Sequence, residues 1–238
     1  MTQAVEDYLK VIYKLQKGQE GGESVQWIDG VEKVTTLSIA DRMGLSAASV
    51  TNMIKKLAEM KLVRYTPYQG VELTEAGEKI ALEIIRHHRL IELYLAEALG
   101  YSWDRVDNEA ERLEHVISEE FEEKIDSVLG YPTVDPHGAP IPTKGGTMKE
   151  FLQNSLSDLE PGQTAVICRV SDRDPDILRY LTSLGFALHI TVEILEKAPF
   201  NGPLLVRIGE QQRMIGLDVA KEVFVTPAPS RRIKRNGY

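Results

Sequence analysis

Sulfur is nearly missing: one cysteine, Cys168, stands in 238 residues. An internal disulfide is therefore impossible, and a lone thiol cannot build a sulfur cage around a metal. Long apolar runs are missing too, for none approaches the roughly 20 residues that a bilayer-spanning helix needs. The opening MTQAVEDYLK carries acids where an export leader would carry base and then an apolar stretch. A cytoplasmic protein with no membrane attachment is expected. Positive charge is short overall: 28 Lys and Arg face 36 Asp and Glu, a formal net charge of -8, so the chain is not wholly a nucleic-acid binder. Catalytic signatures are absent as well, with no G-x-S-x-G elbow and no phosphate loop. A zinc-protease H-x-x-E-H would need His where Glu111 stands, and the Glu-x-x-His of carboxylate-bridged di-iron bundles fails because Arg112 stands three before His115. Neither an enzyme nor an organic cofactor is expected, although a metallohydrolase is kept as a distant alternative.

What is present is charge sorted by place. From Lys33 to Gln69 six basic residues face two acids, whereas Asp104 to Asp126 holds ten carboxylates against three basic residues. The end carries RRIKR at 231–235, a basic tail. Ten acids on what reads as one helix repel one another at neighbour spacings, each pair costing roughly 0.2–0.5 kcal/mol. Either that face is solvated or something positive sits on it.

Apolar spacing predicts a first helix from Val5 to Leu15. A Gly- and Glu-containing segment over 18–34 follows, open between a short hairpin and a loose loop. TTLSIADRMGLSAASVTNMIKKLAEMKLV reads as a short helix capped at Thr35 or Thr36 and running to Met43, a turn at Gly44, and a second helix from Ser46 to about Met60. LVRYTPYQGVELTEAG alternates around Pro67 and Gly70, a hairpin signal. That order is a winged helix-turn-helix. A long helix from Thr74 to Gly100 and the acidic helix come next. GYPTVDPHGAPIPTKGG, with four prolines and four glycines in 17 residues, reads as a linker. Short β-rich runs beyond it suggest a small barrel of about five strands with PDILRYLTSLG as one helix.

Two constellations carry chemistry. A recognition helix needs short polar side chains at its N-terminal end, where base edges are read at close range. Ser46 caps such a helix, Ser49, Thr51 and Asn52 supply the polar groups, and Ala48 can meet a thymine methyl. Lys55, Lys56, Arg64 and the wing from Tyr65 to Gln69, Tyr68 included, would hold phosphates. The bland alternative is an amphipathic helix with a solvated face. In the acidic stretch, Glu111, Glu114 and His115 at i, i+3 and i+4 project from one face, with Asp107 a turn earlier. His88 and Glu92 are i, i+4 on the preceding helix. Carboxylate oxygens with imidazole nitrogen and no thiolate suit Mn²⁺ or Fe²⁺. The alternatives are a bystander histidine on a charged surface, or a winged-helix regulator answering to a non-metal effector.

HHRLIELYLAEALG, DNEAERLEHVIS and DPHGAPIPTKGG, with GLSAASVTNMIKKLAEMKLVRY and LTEAGEKIA, resemble the diphtheria-toxin-repressor family of metal-dependent transcription regulators over nearly the whole chain. The resemblance implies a mainly α protein with a small β domain. Residues 1–75 would be a winged helix-turn-helix, 76–143 a helical metal-binding and dimerisation domain, 144–228 an SH3-like, FeoA-like barrel, and 229–238 a basic tail. It implies a homodimer that represses metal-uptake genes at a palindromic operator of double-stranded DNA when loaded with Mn²⁺ or Fe²⁺. Carried across, the principal metal site is Asp7, Glu111, Glu114 and His115, and a second includes His88. Acids at positions 7 and 111 are similar to the manganese-type branch, whereas the iron branch has Met and Cys there. Lys10 occupies a place where the manganese proteins have a Glu ligand. Asp107 stands where the iron branch has an ancillary-site His and completes that site with His88 and Glu92; Asp172 or Asp174 takes the part of the barrel-domain ligands.

Overall fold

The computed structural model describes residues 1–18, 25–28, 31–67, 69–149 and 154–228. Tyr68, the 229–238 tail and much of the 18–34 segment lie outside the described residues. The chain forms two compact units: Met1–Ile91 with Ala110–Tyr131 and Ile141–Met148, and Glu92–Glu109 with Pro132–Pro140 and the chain from Lys149 onward.

In the first unit, α1 (Gln3–Gln16) turns Val5, Leu9, Ile12 and Tyr13 into the core at helical spacing. Strands β1 (Val25–Ile28) and β2 (Val31–Val34) pair antiparallel, so the segment left open between hairpin and loose loop contains a hairpin. Helix α2 (Thr36–Met43) starts at a capping box in which Thr35 and Ser38 each accept the other's amide at 3.0 Å. Gly44 ends it in the left-handed region, φ 64°. Ser46 caps α3 (Ala47–Glu59), accepting the Ser49 amide at 3.2 Å, and Val50, Ile54 and Leu57 face the core. Strands β3 (Val63–Thr66) and β4 (Gly70–Leu73) make the wing, and the sheet order β1-β2-β4-β3 joins the extra hairpin to it. Helix α4 (Glu75–Leu99) leaves the wing so closely that a Cβ on Gly77 would sit 2.1 Å from the Leu62 carbonyl.

The acidic stretch is two helices, not the single one expected: α5 (Val106–Leu113) and α6 (Glu119–Val128). Glu114 and His115 lie in the turn between them. The physical reason is Ser118, whose hydroxyl accepts the Phe121 amide at 3.2 Å and starts a new helix inside the acidic run. Part of the charge is answered from α4. Arg86, buried, bonds Glu122 at 2.5 Å and also Asp126, and donates to the Pro142 carbonyl at 2.9 Å. Three acceptors around one guanidinium satisfy a charge that would be costly to bury alone.

The second unit holds six strands rather than about five: β5 (Asn154–Ser155), β6 (Thr164–Val170), β7 (Thr191–Lys197), β8 (Leu204–Ile208), β9 (Gln211–Ile215) and β10 (Val223–Pro227), in the order β5-β10-β6-β7-β8-β9 and antiparallel throughout. Two-residue β5 is too short to signal itself by alternation. Helix α7 (Pro175–Ser183) is the expected one, and α8 (Leu217–Lys221) is additional. The Pro- and Gly-rich segment is not a free linker. Asp135 accepts the amides of His137 and Ala139 at 2.8 and 2.9 Å, and the His137 carbonyl takes the Val170 amide at 2.8 Å. Gly138, φ 85°, makes this possible, since a Cβ there would lie 2.0 Å from the Cys168 carbonyl.

Candidate metal centre and DNA-reading helix

Helix α1 brings Asp7 and Lys10, α4 brings His88, and α5 with its following turn brings Glu111, Glu114 and His115. Glu114 is fully buried, and His87 Nδ1 donates to its carbonyl at 3.1 Å, fixing the turn. His115 shows its tautomer by its partners. Its Nδ1 lies 2.7 Å from Glu6 Oε2, an acceptor only, so Nδ1 carries the proton. Its Nε2 faces Asp7 Oδ1, 2.8 Å away, and Glu114 Oε1, 3.3 Å away. Neither Asp7 Oδ1 nor His115 Nε2 has a hydrogen-bond partner, though both are buried. Two carboxylate oxygens and an imidazole nitrogen converging in this way could hold a cation, and a carboxylate on the far nitrogen is the usual support of a ligating histidine. Asp7, Glu114 and His115 each offer a ligand atom within 4.8 Å of the others.

Beside it lies a second convergence, of His88, Glu111 and Glu114. Lys10 occupies its centre. The ammonium sits 2.7 Å from Glu111 Oε2, 2.8 and 2.7 Å from the two Glu114 oxygens and 3.3 Å from His88 Nδ1. His88 Nδ1 in turn donates to Glu114 Oε2 at 2.5 Å. Glu111 is the half-exposed member, and it reaches the lysine rather than the Asp7–Glu114–His115 group. Burial is the largest influence on Asp7 and raises its pKa; His115 opposes this, Glu111 and Glu114 add to it, and the net is upward. Burial pushes Glu114 the same way, but the His88 bond and the Lys10 charge outweigh it and hold that carboxyl below its ordinary value. Burial alone would lower Lys10, and Glu114 and Glu111 more than reverse it.

The remaining expected ligands, Glu92, Asp107, Asp172 and Asp174, belong to the second unit. A carboxylate oxygen of Glu92 lies within 4.8 Å of one of Asp107. Glu92 and Asp172 are also within that distance of His137, a residue that the sequence reading passed over as part of a linker. His137 Nε2 donates to the Trp103 carbonyl at 2.7 Å, which leaves Nδ1 facing Glu92 Oε1 at 3.7 Å. Burial would lower the His137 pKa, yet Glu92, Asp135, Asp172 and that carbonyl carry it upward. Asp174 is not in this group: exposed, it caps α7 by accepting the Asp176 amide at 2.8 Å. Glu6 was the other omission; only its place beside Asp7 on α1 hinted at it.

At the reading head, Ser46, Ala48, Ser49, Asn52, Lys55 and Lys56 are exposed on α3. The Ser46 and Ser49 hydroxyls bond each other at 2.9 Å in the cap. Thr51 is half-buried and spends its proton on the Ala47 carbonyl at 2.8 Å, which leaves it as an acceptor. Arg64, on the wing, faces Glu72 across the hairpin at 3.4 Å.

Known proteins supply the context. Residues 1–71 match the N-terminal DNA-binding domain of the iron-dependent repressors, 74–143 their metal-binding and dimerisation domain, and 154–227 the FeoA domain. The iron-dependent repressor IdeR of Mycobacterium tuberculosis is 35% identical over 241 residues, 94% of this chain and 97% of that protein. A solved manganese-dependent transcriptional repressor in complex with manganese is 37% identical and superposes with a TM-score of 0.81 over 94% of this chain and all of that one. The manganese regulator SloR is 32% identical, TM-score 0.74, covering 96% of this chain and 100% of its own. With three domain matches in the expected order and full-length relatives, the chain belongs to the iron-dependent repressor family, the group that its sequence resembles under the name of the diphtheria toxin repressor.

Proposed function

We propose that the chain represses transcription by binding operator DNA as a homodimer once a divalent ion, Mn²⁺ or Fe²⁺, is held by Asp7, Glu114 and His115. The observation that carries this is the convergence of Asp7 Oδ1 and Glu114 Oε1 on His115 Nε2, in a ring whose Nδ1 is held by Glu6. Carboxylate oxygens with one imidazole nitrogen and no thiolate form a hard donor set. A bound ion would supply positive charge beside Asp7, the carboxyl that burial raises, while Glu114 is already held ionised by His88 and Lys10. Asp7 then ties α1 to the turn after α5, and α1 packs on α2, the first helix of the reading head. In this reading residues 1–75 are the DNA-binding domain, 76–143 the metal and dimerisation domain and 144–228 the SH3-like domain, working in the cytoplasm where the operator is. Asn52, Ser49 and Ala48 read base edges in the major groove while Lys55, Lys56 and Arg64 hold phosphates. A two-fold dimer sets two α3 helices on half-sites one helical turn apart, as in a palindrome upstream of metal-uptake genes. Glu92, His137 and Asp172 form an ancillary centre in the second unit.

Anisotropy of a labelled operator, titrated with Mn²⁺, Fe²⁺ or Zn²⁺ and reversed with chelator, tests the proposal. Binding that ignores metal, or that survives in Glu114→Ala, refutes it. Linkage requires reciprocity, so operator DNA must tighten Mn²⁺ binding by the factor that Mn²⁺ tightens DNA binding.

A further inference from the structure

We propose that Lys10 is a built-in second cation: its ammonium fills the position between His88, Glu111 and Glu114, so the first unit accepts one divalent ion where its side chains have room for two. This rests on the reading of Asp7, Glu114 and His115 as the metal centre.

Among the described residues of this unit, two groups have metal-holding geometry, and they share Glu114. In the one containing His115, Asp7 Oδ1 and His115 Nε2 are buried without hydrogen-bond partners. In the other, Nζ approaches three carboxylate oxygens at 2.7–2.8 Å and an imidazole nitrogen at 3.3 Å, taking the places that an ion's ligands would take. An ammonium has three protons to give, and three carboxylate oxygens receive them. The side chain is 6% exposed, so it is a fitted part of the interior and not a surface lysine folded over a cleft. Charge agrees. Asp7, Glu111 and Glu114 bring three negative charges, which one divalent ion and one lysine balance. A second divalent ion beside Lys10 would leave an excess of two positive charges in a site whose central carboxylate is fully buried.

The consequence is an asymmetric sensor. Glu114 is already anchored to α1 through Lys10 in the metal-free chain, and the remaining gap is the one that Asp7 and His115 line. Loading should accordingly be a single event in the first unit, with no cooperativity between two adjacent ions.

The test counts ions. Metal-free wild type, His115→Ala, Lys10→Glu and Lys10→Ala are each saturated with Mn²⁺, desalted, and measured by native mass spectrometry and elemental analysis. His115→Ala should hold one ion fewer per chain than wild type. Lys10→Glu should hold one more, because the new carboxylate replaces a positive charge with a ligand and brings the acids to four, matched by two divalent ions. If Lys10→Glu does not fold without metal, Lys10→Ala answers alone, since it vacates the position without adding charge, and it too should gain one. Wild type losing an ion in His115→Ala while neither lysine variant gains one overturns the role of Lys10 and leaves the metal centre standing. No loss in His115→Ala overturns the centre itself.

Discussion

The Glu6→Gln variant probes the centre without touching a candidate ligand. Glu6 accepts the Nδ1 proton of His115 at 2.7 Å, and the two side chains are 14% and 5% exposed, so water does not compete for the bond. A carboxylate there admits one tautomer. A carboxamide can turn its NH₂ toward Nδ1, which moves the ring proton to Nε2 and points it at Asp7. Loss of such outer support costs about 10–100-fold in metal affinity, or roughly 1.4–2.8 kcal/mol at 1.4 per tenfold. The upper half is expected here because the pair is nearly dry. Mn²⁺ is titrated into metal-free protein while the paramagnetic resonance of the free ion is followed, and thermal melting of the metal-free chains checks that the fold is intact. Affinity unchanged within threefold, with an unchanged melt, would refute the claim that Glu6 sets the His115 tautomer.

Asp7→Asn should melt at a higher temperature than wild type when metal-free at neutral pH, and should lose Mn²⁺ binding. Because the folded-state pKa of Asp7 is raised, its stabilising contribution is full below the ordinary value of 3.8 and is lost as pH climbs through the raised value, so removing the ionised acid removes a cost. The same shift makes Mn²⁺ binding release protons, with affinity falling as pH is lowered from a point above the usual aspartate range; a profile that stays flat until the ordinary value of 3.8 is reached contradicts it. Lys56→Ala should weaken operator and random DNA alike and make the slope of log K against log salt shallower by about 0.9 for each phosphate that the lysine neutralises. Asn52→Ala should instead cost about 1–3 kcal/mol on the operator alone if Asn52 bonds a base in bidentate fashion. Gly138→Ala should destabilise the second unit in thermal melts, since its Cβ would collide with the Cys168 carbonyl at a φ of 85°.

The helices and the wing were legible because their signals are local. Ser46, Gly44 and the spacing of Val50, Ile54 and Leu57 carry their own geometry, and all came out within a residue or two of expectation. The break after Leu113 was written just as locally, in Ser118, but the density of acids drew attention to charge and away from capping. The centre was legible as residue types and not as partnerships. Nothing in E-x-x-E-H says that Glu111 turns to a lysine on α1 while Glu114 serves two groups at once, because those bonds join residues about a hundred positions apart. His137 escaped for another reason. Proline and glycine around it suggest a spacer, yet Asp135 and Gly138 use those freedoms to pin the segment against β6.

The question of why so many acids crowd one stretch therefore has two physical answers. Arg86 from α4 takes Glu122 and Asp126, and Lys10 from α1 takes Glu111 and Glu114, each cation buried among the acids it neutralises. Among the carboxylates described around these two cations, Asp7 and a share of Glu114 are left facing His115. A switch needs that remainder of charge: were every acid paired internally, an ion would gain nothing by entering, and were none paired, the metal-free chain would carry a repulsion that its fold could not hold. The acid-rich stretch is thus tuned to be short of positive charge at a single point, where a divalent ion changes which segments are tied together.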